Sequence, residues 1–309
     1  MRKPDLAVLA AVIACSFASI FIRWSDAEPL AIAFYRLLFT SLMLLPFVFM
    51  GKTGEFKALA GKDIWLMAGI GLVLSFHFSM WITSLELTSV ASSVILVTAH
   101  PILVGTISHF FLKDRLSRLN FFGIMIAITG VIILTAGDFT GGPLTGSATL
   151  GNILAFVAGI CAGIYILAGR TMRRTLSLVT YALPVYLFCT IFLFIQCLAT
   201  GTELFPMPAK DLILFLLMAL IPGMLGHTLY NWSLKHVTAT VVSVSLLGEP
   251  IGSSILAVLL LGEMPTRWVL IGGPVVLAGI VMASMRLSKR KRSRPLRKGF
   301  NTRPASALK

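Results

Sequence analysis

Ten apolar runs, each close to the length of a bilayer-crossing helix, limit what this chain can become. They fall at 6–22, 30–50, 64–84, 90–112 and 119–136, then at 150–169, 180–199, 212–233, 237–261 and 268–285. A helix needs about 20 apolar residues to cross the hydrocarbon core of a membrane. Only helices and closed barrels satisfy all their backbone polar groups at that depth. Of the 309 residues only 12% are charged, against about 25% in a soluble domain. The expected fold is an all-α integral membrane protein with ten transmembrane helices. The links are short, and Gly/Pro/Asp-rich pieces such as 137–143 mark turns. The opening Met1-Arg2-Lys3 and the run behind it resemble a signal peptide, but so many spans follow that an uncleaved first span is expected.

A net charge of +14 often points to nucleic acid, but here the charges flank apolar runs. With alternate loops assigned to alternate faces, one face holds 22 of the 26 Lys and Arg residues. The other holds Arg23, Lys210 and Arg267, and Arg36 lies inside a span. Positive loops stay inside, so both termini are expected in the cytoplasm of a multi-pass cell-membrane protein. The tail, 286–309, holds ten basic residues and is expected to rest on anionic lipid. No nucleic-acid partner is expected, and a homodimer is compatible with the sequence.

The two halves resemble each other at an offset of 149 residues. Ser84-Leu85 falls on Ser233-Leu234, Pro101-Ile102 on Pro250-Ile251, and Leu112, Asp114 and Arg118 on Leu261, Glu263 and Arg267. Gly123 and Gly130 fall on Gly272 and Gly279. Five spans is an odd number, so the second half must lie upside down relative to the first. Inverted repeats mark secondary transporters, whose sites lie near the midplane. The expected organisation is a first repeat at 1–137, a loop at 138–149, a second repeat at 150–285 and the tail.

Few polar residues lie inside the runs. Glu249, followed by Pro250, sits near the middle of the ninth run. A charge in hydrocarbon costs at least ~2.5–3.5 kcal/mol, so Glu249 is read as a proton or cation site, or as a protonated acid tying helices together. His100, followed by Pro101, is its repeat counterpart, and histidine titrates near neutral pH. Pro101 and Pro250 are expected to loosen their helices as hinges. Arg36 is open to three readings: snorkelling to a nearby face, holding a carboxylate or phosphate, or pairing with Glu249. His77 and Trp81 share one helix face, and His227, Tyr230 and Asn231 share another. Trp81 and Tyr230 are repeat counterparts. They line a pocket or belong to the interfacial aromatic belt. His109 is expected to be ordinary.

Ala155, Gly159 and Gly163, and the glycine pairs 123/130 and 272/279, read as close helix contacts. The four cysteines lie in apolar runs without metal-ligand spacing and read as packing residues. No GxxxxGK[ST] motif is present. No cofactor, metal or catalytic cluster is expected.

The pieces Pro101 through Asp114 to Gly130, and Glu249-Pro250 through Leu260-Leu261-Gly262-Glu263 to Gly272 and Gly279, resemble the drug/metabolite transporter superfamily, in particular its EamA group. Tyr35-Arg36 in the second span is similar to the family's habit. Lys113-Asp114 departs from the second repeat's Gly262-Glu263. The resemblance implies ten spans in two inverted five-helix repeats. It further implies transport of small organic metabolites such as amino acids by alternating access, with an exporter coupled to protons as the leading expectation. An uncoupled facilitator or channel is the alternative, and a membrane-embedded enzyme ranks below it.

Overall fold

The computed structural model describes residues 3–50, 53–100, 118–139, 147–236, 246 and 248–284. All regular structure among them is helical. Helices α1 (Lys3–Ser16) and α2 (Ala18–Trp24) form one apolar span, and α3 (Pro29–Leu44) runs on through α4 (Pro46–Met50) as a second. Pro29 starts α3, where its missing N–H has no intrahelical partner to lose. A short helix, α5 (Thr53–Lys57), leads into α6 (Gly61–Leu87) and then α7 (Val90–Val97). After α8 (Arg118–Phe139) come α9 (Ser147–Met172) and α10 (Leu178–Thr200). The next rod joins α11 (Ala209–Met218), a π-helical segment (Ala219–Thr228) and α12 (Leu229–Ser233). Helices α13 (Gly248–Leu261) and α14 (Arg267–Ser284) follow.

Among the described residues six helices are long and apolar enough to cross a membrane: Leu6–Trp24, Pro29–Phe49, Gly61–Leu87, Ser147–Met172, Leu178–Thr200 and Ala209–Ser233. Shorter apolar stretches lie in α8, α13 and α14. Large apolar side chains face outward on almost every helix; Phe49 and Trp65 are each 81% exposed. Soluble proteins seldom leave so much apolar surface open, whereas lipid covers it without cost.

Small residues set the helix spacing. A Cβ on Gly71 of α6 would meet Phe188 Cβ of α10 at 2.6 Å. One on Gly159 of α9 would lie 2.7 Å from the Val97 carbonyl at the end of α7, so the expected Ala155/Gly159/Gly163 contact face meets α7. Helices α8 and α14 approach through a reciprocal pair of contacts. A Cβ on Gly130 would meet Val276 N at 2.5 Å and Gly272 O at 3.0 Å. One on Gly279 would run into Ala127 N and lie 2.7 Å from Gly123 O. At an offset of 149, each of these contacts maps onto the other.

The regular spans read from the sequence are broken in three places. The ninth run is not continuous helix around Glu249: α13 begins at Gly248, and Glu249 lies in its first turn rather than mid-helix. Pro250 therefore sits where a missing N–H costs little. Helix α7 stops at Val97, with Thr98 and Ala99 in a turn before His100; Thr98 is the repeat counterpart of residue 247. The eighth span carries ten π-helical residues around Pro222, which sequence periodicity gave no reason to expect. Pro101, His109, Lys113-Asp114, most of the 138–149 link and the basic tail lie outside the described residues.

Candidate functional site

The broken helices meet at a buried cavity of about 60 Å³, room for a few waters. His77 and Trp81 of α6 form one wall, and the end of α7 adds Val97 and Thr98, with His100 just beyond. Helix α9 contributes Tyr165 and Ile166. His227, Tyr230 and Asn231 come from the π-segment and α12, and Glu249 from the first turn of α13. Six of the expected site residues, His77, Trp81, His100, Tyr230, Asn231 and Glu249, thus line one space. The belt alternative for Trp81 and Tyr230 fails, since they are 3% and 7% exposed.

Local geometry fixes what each wall offers. His77 Nδ1 donates to the Ala158 carbonyl at 2.9 Å, so the ring's other nitrogen is free to face the cavity as an acceptor when neutral. The His77 and Trp81 rings stack with centroids 6.1 Å apart. His227, ranked below its neighbours from the sequence, packs edge-on to Phe78 at 5.4 Å and lines the cavity. Asn231 donates to Tyr165 Oη at 2.6 Å and to Tyr186 Oη at 3.0 Å. Glu249 is 9% exposed at a helix N-terminus, the end that favours negative charge.

Arg36 does not snorkel: it is 1% exposed. Its guanidinium lies over the faces of Phe78, at 4.7 Å, and Trp81, at 5.7 Å. Among the described residues neither terminal nitrogen has a hydrogen-bond partner. It makes no direct ion pair with Glu249 among the described residues, but the two buried charges lie close enough to act on each other, so the pairing reading survives only as a longer-range interaction.

Both ends of the bundle are tied. At the α6 end that carries Thr88, the Glu263 carboxylate accepts from Val90 N at 2.7 Å and from Arg23 at 3.3 Å. Arg23 also donates to the Thr88 carbonyl at 3.2 Å, and Thr88 to Asn152 at 3.0 Å. At the other end, Glu55 of α5 accepts from Ser177 N and Thr180 Oγ1, both at 3.0 Å. Nearby, Arg173 donates to the carbonyls of Asn231, at 3.1 Å, and Leu176, at 2.5 Å. Burial lowers the Arg173 pKa below the usual arginine value.

Sequence reasoning missed Tyr165, Tyr186, Arg173 and the π-segment. The tyrosines were findable as hydroxyls inside apolar runs. Arg173 was indistinguishable from its neighbours Arg170 and Arg174.

A family model described as the EamA-like transporter family matches the chain twice, at residues 2–136 and 149–285. The chain belongs to the EamA-like transporter family. Among its relatives is an uncharacterized transporter of Clostridium kluyveri, 23% identical over 91% of this chain and 90% of the relative. Another is a probable amino-acid metabolite efflux pump of Salmonella typhimurium, 26% identical over 91% and 94%. A solved crystal structure shares the fold at a TM-score of 0.63, covering 91% of this chain and 96% of the other at 17% identity. Family membership and the apolar helices make this EamA-family chain a multi-pass membrane transporter.

Proposed function

We propose that this chain is a secondary exporter of small organic metabolites, amino acids among them, that works by alternating access and is driven by protons. Its ten spans form two inverted five-helix repeats, residues 1–137 and 150–285, joined by 138–149 and followed by the tail at 286–309. Support comes from the two separate family matches, the offset of 149 residues between the halves and the reciprocal α8–α14 contacts. The Lys/Arg asymmetry supports a cell-membrane protein with both termini in the cytoplasm. The Salmonella relative supports export of amino-acid metabolites.

One observation carries the mechanism. Glu249 lies at the start of a half-helix, in the wall of a buried cavity to which both halves of the chain contribute. Discontinuous helices at such a place form the sites of secondary transporters. A carboxyl there binds a proton or the cationic group of a cargo, and the exchange of one for the other couples export to proton entry. The Glu263 contacts at one end and the Arg173 contacts at the other are the ties that alternating access would break in turn.

The test is flux in liposomes containing purified protein, with labelled amino acids offered with and without a pH gradient. Wild-type protein is expected to accumulate cargo only with the gradient. Glu249→Gln is expected to lose that accumulation while still exchanging cargo for cargo. Flux indifferent to the gradient in both proteins makes the chain an uncoupled facilitator. No flux of any solute removes the transport reading.

A further inference from the structure

The cavity wall contains polar atoms that the protein itself leaves without partners. Among the described residues Trp81 Nε1, His100 Nε2 and Tyr230 Oη are buried without a hydrogen-bond partner by distance and angle, although Tyr230 interacts electrostatically with the Cys15 thiol. Their residues are 3%, 4% and 7% exposed. Buried polar groups are nearly always satisfied, and three orphans on residues that line one cavity is a pattern that a ligand explains. An indole N–H can only donate, so whatever faces Trp81 must accept. His100 Nδ1 faces the Val97 carbonyl at 3.4 Å, which makes Nδ1 the donor and leaves a neutral Nε2 as acceptor.

Arg36 does not itself line the cavity but packs against Trp81, with both terminal nitrogens unpartnered among the described residues at 1% exposure. Phe78 and Trp81 give it their ring faces. Cation–π contact offsets only part of what burying a guanidinium costs. The positive charge behind the donor disfavours an organic cation at this wall, and the ring faces such a cation would need are already taken. An acceptor bearing negative charge satisfies the indole and the guanidinium together.

We propose that Trp81 and Arg36 form a carboxylate subsite, so that the cargo is a zwitterionic organic acid whose carboxylate takes a hydrogen bond from Trp81 Nε1 and its counter-charge from Arg36. This rests on the transporter reading of the cavity and names the chemistry that the cavity recognises. Carboxylate is favoured over phosphate because a single guanidinium matches a single negative charge, and apolar Leu74, Ile166, Leu234 and Leu246 complete the lining. Glu249 lines the same cavity and feels the Arg36 charge without a direct ion pair among the described residues, and it faces the cationic end of the zwitterion.

The test is thermal-shift titration of the purified full chain with acetate, propionate and butyrate. Their amides, sodium chloride at matched ionic strength and inorganic phosphate serve as comparison probes. In wild-type protein the acids are expected to give saturable shifts that the amides, chloride and phosphate do not. Trp81→Phe, which keeps the ring and deletes the donor, is expected to weaken the acids about tenfold or more. Arg36→Gln is expected to abolish their shift; if it fails to fold, Trp81→Phe still decides. The subsite is overturned if amides or chloride match the acids, if phosphate replaces them, if no acid shifts the wild type, or if Trp81→Phe binds the acids as wild type does. These fragments probe the subsite alone, whereas liposome flux probes transport, so either idea can fail without the other.

Discussion

Asn231 shows how one side chain holds the floor of the site. Its amide satisfies the hydroxyls of Tyr165 and Tyr186, and its backbone carbonyl takes a hydrogen bond from Arg173. Asn231→Leu keeps the branched shape but removes the amide that donates to both hydroxyls, each hydrogen bond contributing about 0.5–1.5 kcal/mol. The expected result is a clearly lower melting temperature in detergent, with Tyr186→Phe in the same background recovering part of the loss. Arg173→Lys keeps the charge but not the planar fork that reaches two carbonyls at once. It is expected to lower transport at unchanged expression, measured as flux per milligram of reconstituted protein. Glu249 and Arg36 were conspicuous from the sequence because charge inside an apolar run is expensive. Tyr165 and Tyr186 were not, because a hydroxyl is cheap enough there to be overlooked until a partner appears.

At the scale of elements, α13 is a rigid rod of about 21 Å by helix geometry, with Glu249 in its first turn. Gly262, at φ 66°, turns the chain just beyond its far end and delivers Glu263 to the N-terminus of α7. The carboxylate meets both Val90 N and Arg23, and α7 in turn runs to Thr98 at the cavity. Glu263→Ala is expected to free this end of α7 and open the cavity toward it. With Cys15, Cys161, Cys189 and Cys197 replaced and Thr98→Cys added, a membrane-impermeant maleimide should label the Glu263→Ala protein faster than its parent. Equal labelling rates in the two proteins would show that Glu263 does not hold this end closed. Gly262→Ala imposes a left-handed backbone on a residue that resists it, at about 1 kcal/mol, and should lower stability without removing the carboxylate. The sequence marked the ends of this element through Gly262-Glu263 and Glu249-Pro250. The helix start at Gly248 was not legible, because an apolar run does not show where within it a helix begins.

Across the whole molecule, the α8–α14 contact ties the fifth run of the first half to the last of the second. A methyl at Gly130 or Gly279 meets backbone atoms of the facing helix. Overpacking of this kind costs about 1–3 kcal/mol. Gly130→Ala and Gly279→Ala are expected to lower the melting temperature by similar amounts, as counterparts under the 149-residue offset. Gly69→Ala, with open space around its Cβ, should leave it unchanged or raise it slightly through helix propensity. A large drop for Gly69→Ala, or a drop for only one of the counterpart pair, would contradict this packing symmetry.

What the sequence determined by itself follows from solvent. Ten apolar runs with charges held to their flanks dictate a helical membrane protein, because hydrocarbon tolerates neither charge nor unpaired backbone. The 149-residue offset also picked out the glycines that the structure places between α8 and α14. The tertiary structure decided which polar residues share one space. Trp81, His100, Tyr230 and Glu249 stand far apart along the chain, and no local pattern says that their helices converge. It also decided that Arg36 rests against two aromatic rings and reaches Glu249 without a direct ion pair. Side-chain partners are chosen by how helices cross, and the crossings are set by small residues and breaks spread over the whole chain.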